Sequence, residues 1–153
     1  MNKTQFEGQW GFANMVLGNA RRQIELIPED KLDFRPTPEV RGASELAAHM
    51  HIYLTELTET VLQGKHIDNK EPKFQSKPEL LKWMGEQIKK GNENFAKITD
   101  AQMAQTIEAW GQPFQAWQLL GLIPTEVIHH RGQMTTYLRL MGIEPVFIGD
   151  FDK

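Results

Sequence analysis

The sequence predicts an all-α protein, a four-helix bundle, and three observations carry that prediction. Apolar residues recur at spacings of three and four over four stretches of roughly 20 residues. Proline- and glycine-containing connections that end helices separate those stretches. No segment reads convincingly as an alternating apolar–polar strand.

The first helix is expected from about Thr4 to Leu26. Phe6, Trp10, Ala13, Leu17, Ala20 and Ile24 mark its apolar face, and Pro28 stops it. The linker from Pro28 to Pro38 holds three prolines and should be extended and semi-rigid. The second helix begins near Gly42, with Glu45 at the third position of a half-formed capping box, and continues to about Leu62. Leu46, Met50, Tyr53, Leu57 and Val61 form its buried stripe, with His49 on the edge. Residues Gly64 to Gln75 are a polar connection.

Ser76-Lys77-Pro78-Glu79 opens the third helix as a capping box with proline in the first turn. Leu81, Met84, Ile88, Gly91, Phe95 and Ile98 continue it as a bundle seam. Residues Thr99 to Pro113 are mixed, with one helical turn around residues 101–106. The last helix runs from near Phe114 to a left-handed cap at Gly142, and Pro124 inside it predicts a bend just before Glu126. The tail, residues 143–153, should be loop-like. The connections are expected mostly to join antiparallel neighbours within one domain spanning residues 1–153.

Bulk properties narrow the function. A net charge of −3 with no Lys/Arg cluster argues against a nucleic-acid binder. The absence of cysteine excludes disulfides, thiolate metal sites and a cysteine nucleophile. The N-terminus lacks the apolar run of a signal peptide, and no segment approaches the ~18 apolar residues of a membrane span. A soluble, cytoplasmic protein with a small-molecule substrate and no membrane partner is expected.

The chemistry concentrates on the inner face of the last helix: Leu119, Ile123, Glu126, His130, Gln133 and Tyr137. Glu126 and His130 are four apart, so they stack on one helical face. A carboxylate and an imidazole in an apolar stripe need a partner. A divalent metal ion satisfies both, and His49 offers a third ligand from the second helix. Two histidines and one carboxylate form a recognised set for zinc and for non-haem iron, with an open position for a water or a thiol. The plainer alternative is a hydrogen-bonded pair in a metal-free polar network.

Gln133, Tyr53 and Arg131 are candidates for positioning substrate, with Tyr53 lining the cavity. Arg131 has a second reading, tying helices together through a carboxylate. His129 is expected on a flanking face, His51 exposed or at an interface, and His66 on the surface. Trp10, Trp83, Trp110 and Trp117 read as core or dimer-interface anchors.

Three elements together resemble the DinB/YfiT-like superfamily. They are Leu32-Asp33-Phe34-Arg35-Pro36-Thr37-Pro38-Glu39, Ala43-Ser44-Glu45-Leu46-Ala47-Ala48-His49, and His130-Arg131-Gly132-Gln133 followed by Tyr137-Leu138-Arg139 and Gly142. The resemblance covers nearly the whole chain in order and spacing. It implies a metalloenzyme bundle with up-down-down-up connectivity, dimeric in many members, holding a divalent metal on three histidines. His49 and His130 match the first and third of these. Glu126 stands where the family usually has histidine, which gives the site a harder character open to zinc, nickel, manganese or iron.

The resemblance extends to thiol S-transferases and to mycothiol-dependent maleylpyruvate isomerases, and implies thiol S-transfer to small electrophiles with a low-molecular-weight thiol cosubstrate, or a related metal-dependent hydrolysis. The alternative is a non-catalytic binding bundle whose metal site has degenerated.

Overall fold

The computed structural model describes residues 1–150 and is built from helices α1 (Lys3–Glu25), α2 (Ala43–Gln63), α3 (Lys77–Lys97), α4 (Asp100–Ala104) and α5 (Ala116–Leu140). A hairpin of β1 (Thr106–Ala109) and β2 (Gln112–Gln115) precedes α5. The last three positions of the expected tail lie outside the described residues.

Local chemistry sets the helix ends. Asn2 caps α1 in a reciprocal pair with Gln5, at 2.9 and 3.0 Å. Glu45 Oε2 accepts the Gly42 N–H at 2.9 Å, closing the half box expected at the start of α2. Ser76 caps α3, while Glu79 reaches the amide of Gln75 instead of Ser76. The apolar face predicted for α1 is buried throughout, as are Leu46, Met50, Leu57 and Val61 of α2. On α3 Leu80 and Met84 are fully buried, and Leu81 packs at the margin.

Side-chain contacts set the helix directions. Asn19 and Gln23 of α1 meet Arg131 and Thr135 of α5, so those helices run parallel. Thr55 and Thr58 of α2 meet Gln87 and Asn94 of α3, a second parallel pair. Tyr137 near the end of α5 donates to the carbonyl of Arg41 at the start of α2, so α2 opposes α5. Lys3 reaches Ala96 and Lys77 reaches Glu25, so α1 opposes α3. The result is the up-down-down-up bundle. Two of its three connections, α1 to α2 and α3 to α5, join antiparallel helices as expected, and the exception is α2 to α3, where the chain must return the length of α2 before entering a parallel helix.

The hairpin is the second departure. Ile107 pairs with Phe114 in its antiparallel register, and residues 106–109 alternate exposed and buried. Trp110 (φ 50°) and Gly111 (φ 74°) form a turn with both central residues left-handed, the twist that suits a two-residue hairpin loop. Strands of four residues are too short to show a period, and tryptophan at the first turn position hides the usual Asn-Gly signal.

Helices α2 and α3 approach closely at Gly91. A Cβ there would lie 2.4 Å from Leu54 Cγ and 3.3 Å from the Leu54 carbonyl oxygen, and Leu54 is fully buried. Alanine's helix propensity, better by about 1 kcal/mol, opposes an overpacking cost of about 1–3 kcal/mol. Because the clash meets the Leu54 backbone as well as its side chain, the upper part of that range applies, and Gly91→Ala should lower the unfolding free energy by about 1–2 kcal/mol in urea titration. An unchanged midpoint would refute the close approach.

Candidate metal centre

His49 projects from the first third of α2 and faces Glu126 and His130 on α5 across the bundle. One ligand atom from each of the three lies within 4.8 Å of the others. Glu126 Oε2 is 3.2 Å from His130 Nε2 and 4.0 Å from His49 Nε2. Tetrahedral ligands at ~2.1 Å from an ion stand about 3.4 Å apart, so this spacing is that of a loosely assembled ligand set. The two imidazoles meet edge to face with centroids 4.6 Å apart.

Both histidines carry a hydrogen-bond partner on Nδ1. The His49 Nδ1–H donates to Glu71 Oε1 at 2.5 Å. The His130 Nδ1–H donates to Gln133 Oε1 at 2.9 Å. That arrangement leaves each Nε2 lone pair free toward Glu126, the tautomer a metal requires. Burial pushes the His130 imidazole below its ordinary pKa, against the Gln133 hydrogen bond, so it stays neutral near pH 7. Two neutral nitrogen donors and one carboxylate oxygen fit a divalent ion.

Of the three, His130 borders a cavity of about 350 Å³ between the linker and α5, lined also by Pro36, Glu39, Val40, Arg41, Gln133 and Tyr137. A larger polar hollow of about 680 Å³ around Glu29, Arg35 and Lys73 includes none of the three ligands. Tyr53 packs edge-on against His49 with centroids 5.1 Å apart, and burial, then the Glu126 charge, raises its phenol pKa. Gln133 is exposed at the cavity wall, and its amide nitrogen reaches His129 Nε2 at 3.3 Å.

Arg131 lies elsewhere. Its guanidinium is buried between α1 and the C-terminal segment, 3.4 Å from Asn19 Oδ1 and from the Ile148 carbonyl. It thus ties helices together through neutral oxygens, not through the carboxylate anticipated from sequence.

Other residues depart from their expected settings. His51 is fully buried rather than exposed or at an interface. His66 is half-buried against Trp110, with centroids 4.7 Å apart, and its Nε2 is enclosed without a hydrogen bond. Trp110 is 50% exposed at the hairpin tip, whereas Trp10 is core, stacked on Phe95 at 4.2 Å. Glu71 and Arg41, 3.6 Å apart beside His49, had no signal in the sequence because both lie in aperiodic connections.

A family model described as DinB family matches residues 12–150. Among solved structures, a DinB-like protein from Bacillus subtilis aligns with a TM-score of 0.72 at 20% identity, over 90% of this chain and 96% of that one. A DinB-like protein from Bacillus cereus aligns with a TM-score of 0.77 at 17% identity, over 93% and 94%. At these identities the likeness bears on fold alone. No curated protein matches the chain. Among the described residues, no helix is long and apolar enough to cross a membrane.

Proposed function

The chain belongs to the DinB family, and on that premise we propose that it is a divalent-metal-dependent enzyme acting on small electrophiles, with His49, Glu126 and His130 as metal ligands. Thiol S-transfer is the reaction that suits it best, with metal-dependent hydrolysis next. The observation carrying the reading is the convergence of His49 Nε2, His130 Nε2 and a Glu126 oxygen beside a cavity of about 350 Å³.

Zinc or nickel suits the two imidazoles, and the carboxylate extends the range to manganese and iron. When bound, such an ion supplies Lewis acidity, which favours the ionised form of a thiol or water at neutral pH. The chain's own groups do the rest. Gln133 holds the His130 ring through Nδ1, and Tyr53 packs against His49, limiting its rotation. Gln133 also presents an amide to the cavity, where it can orient a polar substrate group. Arg131 has no part in this proposal, since its contacts are with Asn19 and Ile148.

One observation favours a second reading. Glu126 and His130 stand 3.2 Å apart, close enough to form a metal-free polar pair whenever a proton sits on His130 Nε2. Elemental analysis of tag-free, metal-reconstituted protein separates the two. Near-stoichiometric zinc, nickel, manganese or iron should be present in the parent protein and lost in both His49→Ala and His130→Ala. No metal in the parent protein would sink the enzyme reading and leave the polar pair.

A further inference from the structure

We propose that Glu71 is a positioning residue for the metal centre, delivered to His49 by the strap that the bundle's topology requires; the inference rests on the metal-binding reading above. Because α2 and α3 are parallel, residues 64–76 must travel back along a helix of 21 residues, about 31 Å at 1.5 Å per residue. Gly64, left-handed at φ 67°, reverses the chain at the C-terminus of α2. The returning strand then passes the face of α2 that carries His49.

The strap is pinned to α2 at three rungs. The Ile67 N–H donates to Thr60 Oγ1 at 3.0 Å, and the Asn69 N–H donates to Glu56 Oε2 at 2.9 Å. Glu71 Oε1 then accepts the His49 Nδ1–H at 2.5 Å. Positions 67 and 69 differ by two, so an extended chain turns both N–H groups to the same side, toward α2, and two residues further on the Glu71 side chain reaches His49. Their partners step back along α2 in the same order, 60, 56 and 49. The first two rungs hold the strap along α2, and the third, made by a side chain, falls on His49.

Arg41, from the other connection, sets its guanidinium 3.6 Å from the Glu71 carboxylate. The resulting chain Arg41–Glu71–His49 fixes the imidazole tautomer, resists ring rotation and makes Nε2 a stronger donor. His130 has only the neutral amide of Gln133 in the equivalent place. The two histidines are therefore unequal: one is backed by a charge and the other by a dipole.

Cobalt(II) serves as the probe, because its visible absorption reports ligand geometry and chelator competition gives its affinity. Glu71→Ala should bind cobalt about 10–100-fold more weakly than the parent protein, with shifted bands. Glu71→Gln, whose amide oxygen can still accept the Nδ1–H, should lose less. Both should reach the parent stoichiometry at saturating cobalt with an unchanged metal-free melting temperature.

Parent-like affinity and spectrum in Glu71→Ala would overturn the proposal. So would a lowered metal-free melting temperature with an unshifted cobalt spectrum, which is the mark of a tether alone. Loss of stoichiometric binding in Glu71→Gln would make Glu71 a ligand, not a positioning residue. Failure of the parent protein to bind cobalt would sink the metal-binding reading itself and this inference with it.

Discussion

Glu126→Ala is expected to weaken divalent-metal binding beyond the roughly 10–100-fold typical of losing an outer partner. Glu126→His should instead preserve binding and move its preference toward zinc and nickel. The carboxylate is the only anionic donor among the three proposed ligands, so it lowers the charge of a loaded site and supplies its only hard atom. An alanine leaves two imidazoles and a net double charge in a half-buried pocket. A histidine at the same helical position keeps the four-residue spacing to His130 and replaces oxygen with nitrogen. Competition titrations with a chromophoric chelator across manganese, iron, nickel and zinc would measure both effects. An alanine variant with parent affinity would remove Glu126 from the ligand set. A histidine variant with the parent order of preference would show that donor hardness does not control selection.

The parts of this site that were legible in sequence are the parts that are local. Glu126 and His130 lie one turn apart on a single helix, and 3.6-residue periodicity is enough to place them together. His49 is on another element: ligand chemistry offered it as a third donor, and the resemblance of Ala43–His49 and His130–Gln133 to one family supported the pairing. Glu71 depends on something no window of sequence contains, the parallel direction of α2 and α3. Residues 64–75 look like a polar loop of free length, yet direction makes them a strap with a set path along α2. The hairpin was hidden for a different reason, since Thr106–Ala109 is too short to separate a period of two from chance.

His51 shows where helical geometry misled. Two residues from His49, it is rotated by about 200°, which puts it on the opposite face of α2. On a surface helix that face would meet solvent. Helix α2 packs against both α3 and α5 and touches α1, so both of its faces are covered. The direction was right, and the environment was set by the neighbours of the helix.

That burial makes His51 the group expected to dominate acid destabilisation. Its Nδ1–H donates to the Ala47 carbonyl at 2.8 Å, while Nε2 is enclosed without a partner. Burial, with the nearby Arg21 charge acting in the same direction, lowers its pKa from 6.5 to about 4. An unfolded chain accepts the proton near pH 6.5 and the folded one only near pH 4, so the unfolded state binds more protons between those values. Stability is therefore full above about pH 6.5 and lost as pH falls toward 4, by about 3 kcal/mol at most for this group.

Carboxylates elsewhere contribute to the same slope, so the decisive comparison is with His51→Leu. That substitution gives up one hydrogen bond to a helix carbonyl, worth about 1 kcal/mol, and removes an unsatisfied buried nitrogen whose cost is about 1–3 kcal/mol. The variant should match or exceed the parent protein at pH 7. Its unfolding free energy between pH 7 and pH 4.5 should decline less steeply in urea titrations at fixed ionic strength. Equal slopes in the two proteins would mean that His51 accepts its proton in the folded state as readily as in the unfolded chain, and that its buried face opens to water before the bundle does.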